Sequence, residues 1–412
     1  MKRTIRSSGG KIIRKFGLTP AGTPDRNGQD AELKGAAWPY EVMVYFADTQ
    51  EALYQIEQWY DTFVALNEAH KTVVVCMDSR TAAVIREATG LDVFTIAHYT
   101  TIDSILSQSP AMKVCLYVNH NPENFSNLRF GQLVHASLMH GDSDKLVTVS
   151  NQTKAYDFSF VAGQAAVDRM AKYSTLYDAH EKCIPVGRPQ VDGQLERSHA
   201  RESSDARTTV LYAPSWEGGQ PTAAYGSIES HGVALVDALL SSDRYAVIYR
   251  PHPLTGVRVA SYGQADAEIR KLLEEANVRA GETVHRVDSS GDVAYSFADA
   301  DIMICDISGV AMDWLPSKKP LIITVPVEET AIVAQSPLTE LAPRLNVADM
   351  ETVLELVDEH LDNDPTRDER IKLAEYYLGD LTPGASTQRF IDAVERLIEI
   401  RDKEMARIAS YS

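Results

Sequence analysis

The sequence predicts an α/β fold of two Rossmann-like domains that face each other across a cleft, with helices at the C-terminus. The chain has 412 residues, enough for two to three domains at about 150 residues each. Short Val- and Ile-rich runs alternate with helical patterns, which is typical of a parallel sheet covered by helices on both faces. A polar segment at 193–207 interrupts this alternation and predicts a linker. We therefore expect domains over 38–192 and 208–349, and helices over 350–412 that pack back on them.

In the first half, each predicted strand is a short and nearly continuous apolar run. These runs span Glu41–Ala47, Lys71–Met77, Asp92–Ile96, Lys113–Val118, Leu133–Met139 and Tyr156–Ala162. Apolar residues at helical spacing separate them. The predicted helices span Gln50–His70, Thr81–Thr89 and Gly163–Tyr173.

The same alternation begins again after the linker. The predicted strands are Thr208–Ala213, Tyr245–Tyr249, Thr283–Val287, Asp301–Cys305 and Pro320–Val325. The predicted helices are Ile228–Ser241, Ala265–Ala276, a short one from Asp292, and Val310–Leu315. The tail from Met350 is helical, with breaks at Pro365 and Pro383.

Composition excludes several classes of protein. With 58 acidic and 40 basic side chains the formal net charge is −18, which argues against general nucleic-acid binding because that depends on basic surface. No apolar run reaches the roughly 18 residues of a membrane-spanning helix. The four cysteines are scattered in apolar stretches, a spacing that suits a reducing cytosol and neither a zinc site nor a disulfide framework.

The N-terminus departs from the acidic average. Six basic residues and no acid precede Asp25. The short apolar pair at Ile12 is followed at once by Arg14 and Lys15, which excludes a signal peptide. Two interpretations stay open: an arm that contacts anionic lipid at about 1 kcal/mol per cation, and a solvated leader. In both, residues 1–37 are flexible and ordered structure begins near Trp38.

Ligands of open parallel sheets bind at the carboxyl ends of the strands, so polar residues at those ends are the candidate site. His140 and Gly141 follow the predicted strand Leu133–Met139. A histidine titrates near neutral pH and can accept a proton from a hydroxyl. Gly141 would let the backbone approach a substrate closely. His140 is therefore the candidate general base.

The acidic residues after His140 admit two other interpretations. Asp142 or Ser143 could cap a helix, with His140 incidental to the chemistry. Alternatively, Asp142 and Asp144 could hold Mg²⁺ or Mn²⁺ for a nucleotide-sugar diphosphate. The neighbouring Lys145 argues against the metal, and we expect no required cofactor.

In the second half, Arg250 and His252 follow the strand Tyr245–Tyr249. Arginine presents a planar fork of donors to phosphate oxygens. Pro251 and Pro253 restrict the backbone around His252. A turn explains the prolines but not the Arg and His together, so this motif predicts an anion site.

Other strand ends of the second half carry polar residues too. Ser308 and Gly309 follow Asp306 where a new helix begins, and free N–H groups at a helix start suit a phosphate; Ser308 could also act only as a helix cap. Ser215 lies in a Gly-rich segment that could be a simple turn, and Ser289 precedes a helix start. We expect these motifs to converge on one phosphate-bearing ligand that His140 faces from the first domain. Phosphate recognition by Arg, His and a helix N-terminus, without an obvious metal cage, predicts electrostatic group transfer. The absence of a G-x-S-x-G elbow, a Walker A loop and an H-E-x-x-H motif excludes a hydrolase of that type, a P-loop kinase and a zincin.

Several blocks, in order, resemble the CDP-glycerol glycerophosphotransferase family of teichoic acid polymerases and primases. They are Val284–Thr324, Val210–Trp216, Tyr249–Pro253, and His140-Gly141 with Lys145. The resemblance covers roughly 133–325, and the ordered series is more specific than any one block.

The resemblance implies a GT-B fold whose C-terminal domain holds the nucleotide. It implies transfer of a polyol phosphate from a CDP-activated donor to a hydroxyl of a lipid-linked or polymeric acceptor of the cell wall or capsule, with release of CMP. It also implies work at the cytoplasmic face of the membrane. The matched positions give His140 as base and His252, with Arg250, as the diphosphate contact; Asp306, Ser308 and Gly309 match the start of the donor-binding helix.

One departure concerns the acceptor side. Where the family has Thr-Pro after His-Gly, this chain has Asp142 and Ser143, which leaves the acceptor and the transferred group open. Two alternatives stay open: a metal-independent GT-B glycosyltransferase that uses a CMP-activated sugar, and a non-catalytic nucleotide-binding partner in envelope assembly.

Overall fold

The structure is a computed structural model of the chain. It describes residues 22–139, 149–192, 207–218, 224–290, 293–327 and 336–411. Two parallel sheets with helices on both faces make up these residues, one sheet in each half of the chain. The predicted fold of two Rossmann-like domains of GT-B type is confirmed.

The first sheet has seven strands in the order β3-β2-β1-β4-β5-β6-β7. They are β1 Val42–Phe46, β2 Thr72–Cys76, β3 Asp92–Thr95, β4 Val114–Tyr117, β5 Val134–Ser137, β6 Phe158–Val161 and β7 Cys183–Pro185. All neighbours pair in parallel. Every residue of β1, β2, β4 and β5 is buried, which is why β1, β2 and β4 appear in the sequence as nearly continuous apolar runs. Strand β5 also buries two polar residues, His135 and Ser137.

The second sheet repeats this topology with six strands in the order β10-β9-β8-β11-β12-β13. They are β8 Thr208–Ala213, β9 Tyr245–Tyr249, β10 Arg286–Val287, β11 Ile302–Cys305, β12 Leu321–Thr324 and β13 Arg344–Leu345. In each sheet the strand order reverses beside the first strand, between β1 and β4 and between β8 and β11. A reversal of this kind opens a crevice at the carboxyl ends of the strands.

The helices cover both faces of each sheet. In the first half they are α1 Asp30–Leu33, α2 Tyr54–Glu57, α3 Tyr60–Ala69, α4 Ser79–Thr89, α5 Tyr99–Leu106, α6 Asn124–Asn127, α7 Gln164–Tyr173 and α8 Ala179–Lys182. In the second they are α9 Val233–Leu240, α10 Ala260–Ala280, α11 Ala294–Asp299, α12 Gly309–Trp314, α13 Pro337–Leu341, α14 Val353–Asp362, α15 Arg367–Leu378 and α16 Ala385–Ala409. Short 3-10 turns span Gln50–Ala52, Asn151–Ala155, Leu315–Ser317 and Val347–Thr352, and Ile228–Gly232 is a π-helical turn.

The last helix, α16, returns to the first domain. Its Phe390 is fully buried, and its ring lies 5.6 Å from Trp59 and 5.5 Å from Phe160, measured between centroids. Near the other end of α16, Lys113 forms an ion pair with Asp402 at 2.7 Å. The first domain is therefore completed by the C-terminal end of the chain.

The two domains share a packed junction. Ala162 and Ala165, after β6, belong to the same apolar cluster as Tyr377 of α15 and the core of the second sheet. Arg188, after β7, donates to both carboxylate oxygens of Asp313 on α12, at 2.8 and 3.0 Å. A bidentate pair of this kind fixes orientation as well as distance. The junction therefore holds the carboxyl edges of the two sheets in a defined relation.

The prediction of a flexible leader over 1–37 is wrong for its second part. Asp25 is buried and accepts hydrogen bonds from the Ser79 backbone and hydroxyl at 2.9 and 2.5 Å. Asp30 accepts from Ala97, His98 and Thr101 at the start of α5. Through these hydrogen bonds residues 22–37 pack on the first domain. The segment is polar, so its sequence has no apolar pattern that would predict this packing. Residues 1–21, with all six basic residues of the N-terminal arm, lie outside the described part.

Other differences concern element boundaries. The predicted helix over Gln50–His70 is three shorter elements, because Leu53 and Trp59 stand between separate turns. Strands β7 and β13 were not predicted, and both are very short. Helices α1, α5, α6, α8 and α13 were not predicted either. Of the predicted strand Thr283–Val287 only the last two residues pair. Of the predicted linker, only Arg207 is described.

Two properties of the described residues bear on the expectations from composition. No helix in the described ranges is apolar over enough length to cross a membrane. The four cysteines are buried free thiols.

We predict that Gly163→Ala destabilises the domain junction. A Cβ at this position would lie 2.3 Å from the Tyr377 carbonyl oxygen, which is backbone of α15 and cannot rotate away. We expect a loss of about 1–3 kcal/mol, as for other overpacked sites, measured by urea denaturation. Gly131→Ala is the matched control, because nothing lies within 4 Å of its added methyl. Equal stability of the two variants would contradict this tight contact.

Candidate active site

A cavity of about 380 Å³ opens at the carboxyl edge of the second sheet, where the strand order reverses between β8 and β11. Loops that follow β8, β9, β10 and β11 form its walls. The lining residues are Ala213, Pro214, Ser215, Arg250, Pro251, His252, Pro253, Thr255, Asp266, Arg270, Asp288, Ser289, Ser290, Ser308 and Val310. The cavity therefore stands where an open parallel sheet binds its ligand.

The cavity brings together five residues that the sequence singled out. They are Ser215, Arg250, His252, Ser289 and Ser308. Gly309 begins α12 directly after Ser308. The expected convergence of separate strand ends is thus present in the geometry, while the role of each residue stays a prediction.

The guanidinium of Arg250 donates its hydrogen bonds to the neighbouring loop after β10. Its guanidinium donates to the Asp288 carboxylate at 2.6 Å and to the Ser290 carbonyl at 2.9 Å. Burial acts to raise the pKa of Asp288, but hydrogen bonds from Ser290 and Ser296 and the charge of Arg250 hold it below its usual range. Asp288 is therefore an anion that offsets the charge of Arg250, and the pair fastens the ends of β9 and β10 together.

The ring of His252 is fixed by its own loop. The backbone N–H of Leu254 donates to Nδ1 at 3.1 Å. In the neutral imidazole the proton therefore resides on Nε2, because only one ring nitrogen carries it. His252 thus offers an N–H donor at the wall of the cavity.

Two hydroxyls in the cavity wall lack partners. The Oγ atom of Ser308 and the Oγ1 atom of Thr255 are buried and form no hydrogen bond within the described part of the chain. A buried polar atom without a partner costs about 1–3 kcal/mol, so both hydroxyls are prepared for ligand oxygens or water. Helix α12, which begins directly after Ser308, has only six residues.

Asp306 lies beneath the cavity rather than in its wall. It is fully buried, and its carboxylate accepts from the backbone N–H groups of Ser215 at 2.5 Å and Ser227 at 3.1 Å. It also accepts from the Thr324 hydroxyl at 2.6 Å. Burial raises the pKa of Asp306, and these hydrogen bonds act against the rise. The structure therefore makes Asp306 a residue that holds the segment after β8 to the end of β12.

Sequence reasoning missed three residues of the cavity. Thr255 follows His252 in the same turn, where its backbone N–H donates to the His252 carbonyl at 2.9 Å. Asp266 and Arg270 lie on α10 and pair at 2.8 Å, and Tyr249 donates to Asp266 at 2.9 Å. The i,i+4 spacing of Asp266 and Arg270 predicts an ion pair on a helix. The same spacing is typical of a solvent-exposed helix face, so it did not indicate a cavity.

The proposed acceptor-side residues cannot be placed. His140, Gly141, Asp142 and Lys145 lie outside the described residues, as does Asp144. The chain leaves the carboxyl edge of the first sheet at β5, and Met139, the last residue described there, has a φ of +56°. The meeting of His140 and His252 across the cleft stays a prediction.

The first domain has a polar cluster at the end of β4 that the sequence analysis did not single out. The Asn119 amide donates to Asp48 at 2.7 Å and to Gln55 at 2.6 Å. Next to it, the Nδ1 atom of His120 is buried and unpaired in the described part of the chain, and burial lowers the His120 pKa. His120 is therefore neutral near pH 7. These polar groups lie at the carboxyl edge of the first sheet, the same edge from which the chain continues to His140.

The described residues contain no group of three or more His, Cys, Asp and Glu side chains placed to hold a metal. The pair Asp142 and Asp144, considered above for Mg²⁺, is outside those residues. The two carboxylates in the cavity wall, Asp266 and Asp288, are each bound to an arginine.

Residues 129–396, more than half of the chain, match the family described as CDP-glycerol:poly(glycerophosphate) glycerophosphotransferase. No curated protein sequence matches the chain.

Solved structures share the fold at low sequence identity. The wall teichoic acid polymerase TagF, in a variant soaked with CDPG, has a TM-score of 0.55 and 13% identity, covering 97% of this chain and 98% of that one. S. aureus MnaA with UDP has a TM-score of 0.56 and 11% identity, covering 87% and 97%. A glycosyltransferase from Rickettsia africae has a TM-score of 0.52 and 9% identity, covering 87% and 98%.

We predict that Asp306→Asn keeps the fold while Asp306→Ala does not. The asparagine oxygen can accept both backbone N–H groups, and its amide can donate to the Thr324 hydroxyl. Alanine leaves the N–H groups of Ser215 and Ser227 unpaired, at about 1–3 kcal/mol each. Thermal melting of the two variants measures the difference. Equal losses would mean that the negative charge itself, rather than the hydrogen bonds, holds the loops.

The pKa of Asp306 also predicts how the stability difference between Asp306→Asn and the unsubstituted protein changes with pH. Because burial raises the folded pKa of Asp306 above the ordinary value of 3.8 for an aspartate, protonation of its carboxyl favours the folded state. That contribution is lost as the pH rises through the folded pKa. We therefore expect the stability of Asp306→Asn, relative to the unsubstituted protein, to increase with pH above 3.8; a difference that stays flat would contradict this.

Proposed function

The chain belongs to the CDP-glycerol:poly(glycerophosphate) glycerophosphotransferase family, and on that basis we propose that it transfers glycerol phosphate, or a similar polyol phosphate, from a CDP-activated donor. The acceptor is a hydroxyl of a lipid-linked or polymeric component of the cell envelope, and CMP is released. The observation that carries the proposal is the cavity of the second domain, where donors from separate strand ends converge.

The chemistry of the cavity supports a diphosphate ligand. His252 offers the Nε2–H group, and the hydroxyls of Ser308 and Thr255 have no partner in the described part of the chain. Both acidic side chains of the wall are already paired with Arg250 and Arg270, so they repel an anion less than free carboxylates would. A cavity wall of this kind suits a pyrophosphate, because it offers hydrogen bonds to the phosphate oxygens and carries no unpaired acidic side chain.

In the proposed reaction, the acceptor hydroxyl attacks the outer phosphorus of the donor. The new bond joins the acceptor oxygen to that phosphorus, and the bond from the phosphorus to the bridging oxygen breaks, so that its electron pair leaves with CMP. His140 takes the proton of the hydroxyl. His252, Ser308 and Arg250 stabilise the charge that develops on the diphosphate.

We propose that this chemistry needs no metal, since hydrogen-bond donors face the diphosphate and both acidic side chains of the wall are paired with arginines. Turnover should therefore be insensitive to EDTA. Loss of activity on chelation, with recovery on adding Mg²⁺, would restore the alternative in which Asp142 and Asp144 hold the ion.

We also propose that the protein works at the cytoplasmic face of the cell membrane, with its basic N-terminal arm against anionic lipid. Each cation near such a surface contributes about 1 kcal/mol. Sedimentation with phosphatidylglycerol vesicles, but not with phosphatidylcholine vesicles, is expected. Removal of the first 21 residues should abolish this binding, and binding that survives the removal would assign it elsewhere.

A donor screen tests the proposed function. We expect calorimetry to show binding of CDP-glycerol or CDP-ribitol, and CMP release once an acceptor polymer is added. Release of CMP from CMP-activated sugars would instead indicate a glycosyltransferase. Binding of the nucleotide with no release on any acceptor would indicate a non-catalytic partner.

We predict that His140→Ala and His252→Ala each lower the rate of CMP release. Loss of a general base alone costs about 10²–10⁴-fold, and loss of a donor to the developing charge costs about 10²–10³-fold. Circular dichroism should show that both variants keep the fold. A rate near that of the unsubstituted protein would remove the substituted residue from the mechanism.

We predict that Ser308→Ala and Thr255→Val weaken binding of the CDP-activated donor. Each removes a hydroxyl that has no other partner in the described part of the chain, so we expect a loss of about 5- to 10-fold in affinity per hydroxyl, near 1–1.5 kcal/mol. The variants should also be slightly more stable without ligand, because a buried unpaired hydroxyl is removed. Unchanged affinity would show that water, not the donor, occupies these positions.

A further inference from the structure

The two residues after Ser215 contact the loop that carries His252, although neither of them lines the cavity. They are Trp216 and Glu217, at the end of β8. They lie far from His252 in the sequence, and only the pairing of β8 with β9 brings the two segments together.

Glu217 binds the backbone of the His252 loop. It is 6% exposed, and its carboxylate accepts from the N–H groups of Arg258 at 2.7 Å, Val259 at 3.1 Å and Gly256 at 3.1 Å. Burial acts to raise the pKa of Glu217, but these backbone hydrogen bonds hold it below its usual range. Glu217 is therefore a charged clamp that fixes the chain between β9 and α10.

Trp216 contacts the imidazole itself. Its indole ring stacks on His252 with centroids 5.9 Å apart and an angle of 18° between the planes. The guanidinium of Arg258 lies 5.6 Å from the same indole centroid. The clamp of Glu217 on the Arg258 backbone and the stack of Trp216 on His252 thus form one assembly.

The assembly constrains both the position and the protonation of the ring. Stacking on Trp216 restricts rotation about the bond that carries the imidazole. Only in the observed orientation does Nδ1 accept from the Leu254 N–H group, which leaves the proton on Nε2. If the ring were free to rotate, either tautomer could form, and the nitrogen at the cavity wall could be an acceptor instead of an N–H donor.

We propose that Trp216 and Glu217 are positioning residues that hold His252 with its Nε2–H group presented to the cavity. The consequence for turnover rests on the proposed function, in which that N–H group donates to a diphosphate oxygen. The orientation of the ring does not depend on the function. The proposal can therefore be tested in two ways: by the tautomer of His252 in the protein without ligand, and by the rate of CMP release.

The first readout is the tautomer of His252, observed by ¹⁵N NMR of the full chain labelled in its histidine rings at a pH where the ring is neutral. His252→Asn identifies the signal. We expect a single Nε2–H tautomer in the unsubstituted protein, a mixture in Trp216→Leu, and recovery of the single tautomer in Trp216→Phe, which keeps an aromatic stack. A single Nε2–H tautomer that persists in Trp216→Leu, or an Nδ1–H tautomer in the unsubstituted protein, would overturn the proposal.

The second readout is CMP release from CDP-glycerol. A displacement near 1 Å can lower a rate by about two orders of magnitude, so Trp216→Leu and Glu217→Gln should lower kcat roughly 10- to 100-fold. The KM of the acceptor should not change, and Trp216→Phe should stay within about threefold of the unsubstituted rate. Val257→Ser is the control, because Val257 is on the same loop and 67% exposed. Thermal melting verifies that each variant is folded.

The outcomes separate the two proposals. If the unsubstituted protein releases no CMP but the tautomer behaves as expected, the proposed function fails and the positioning stands. If the protein is active and Trp216→Leu is as active as the control, the positioning role fails and the function stands.

Discussion

The cavity depends on one buried carboxylate. Loops that end parallel strands leave backbone N–H groups without sheet partners, and at full burial each such group must be paired. Asp306 accepts from Ser215 and Ser227, in two separate segments, and from Thr324 at the end of β12. The charge that would destabilise an isolated buried acid is thereby distributed over three donors. The wall of the cavity is held from below by this residue, which itself need not touch a ligand.

The junction between the domains extends the same constraint to the cleft. Arg188 of the first domain binds Asp313, and Asp313 lies on α12, the short helix that begins immediately after Ser308. The close packing of Gly163 on Tyr377 holds α15 against the end of β6. A shift of one domain would therefore move a wall of the cavity. This coupling gives the C-terminal helices a part in the geometry of the site, although they contribute no lining residue.

Polar groups at the site divide into those that hold the loops and those that face the ligand, and residue type alone does not distinguish them. Arg250 has the chemistry of a phosphate ligand, yet its fork is bonded to Asp288 and Ser290. Thr255 and Ser308, less conspicuous in the sequence, keep hydroxyls without partners in the described ranges. Existing hydrogen bonds decide the division, and those of Arg250 are made to residues far away in the sequence. No role could be assigned from the sequence to Trp216, although it ends one of the family blocks, or to Glu217, for the same reason.

The sequence by itself determined the two parallel sheets and the strand ends at which the cavity is found. Continuous apolar runs such as β1 and β9 follow from burial on both faces, and polar residues are concentrated where these runs end. Ordered blocks of residues also sufficed to indicate the family. Only the tertiary structure decided what each polar residue binds, that residues 22–37 pack on the first domain, and that α16 returns to it. Those outcomes depend on contacts between segments that are far apart in the chain, and such contacts produce no periodic pattern or change of composition in the local sequence.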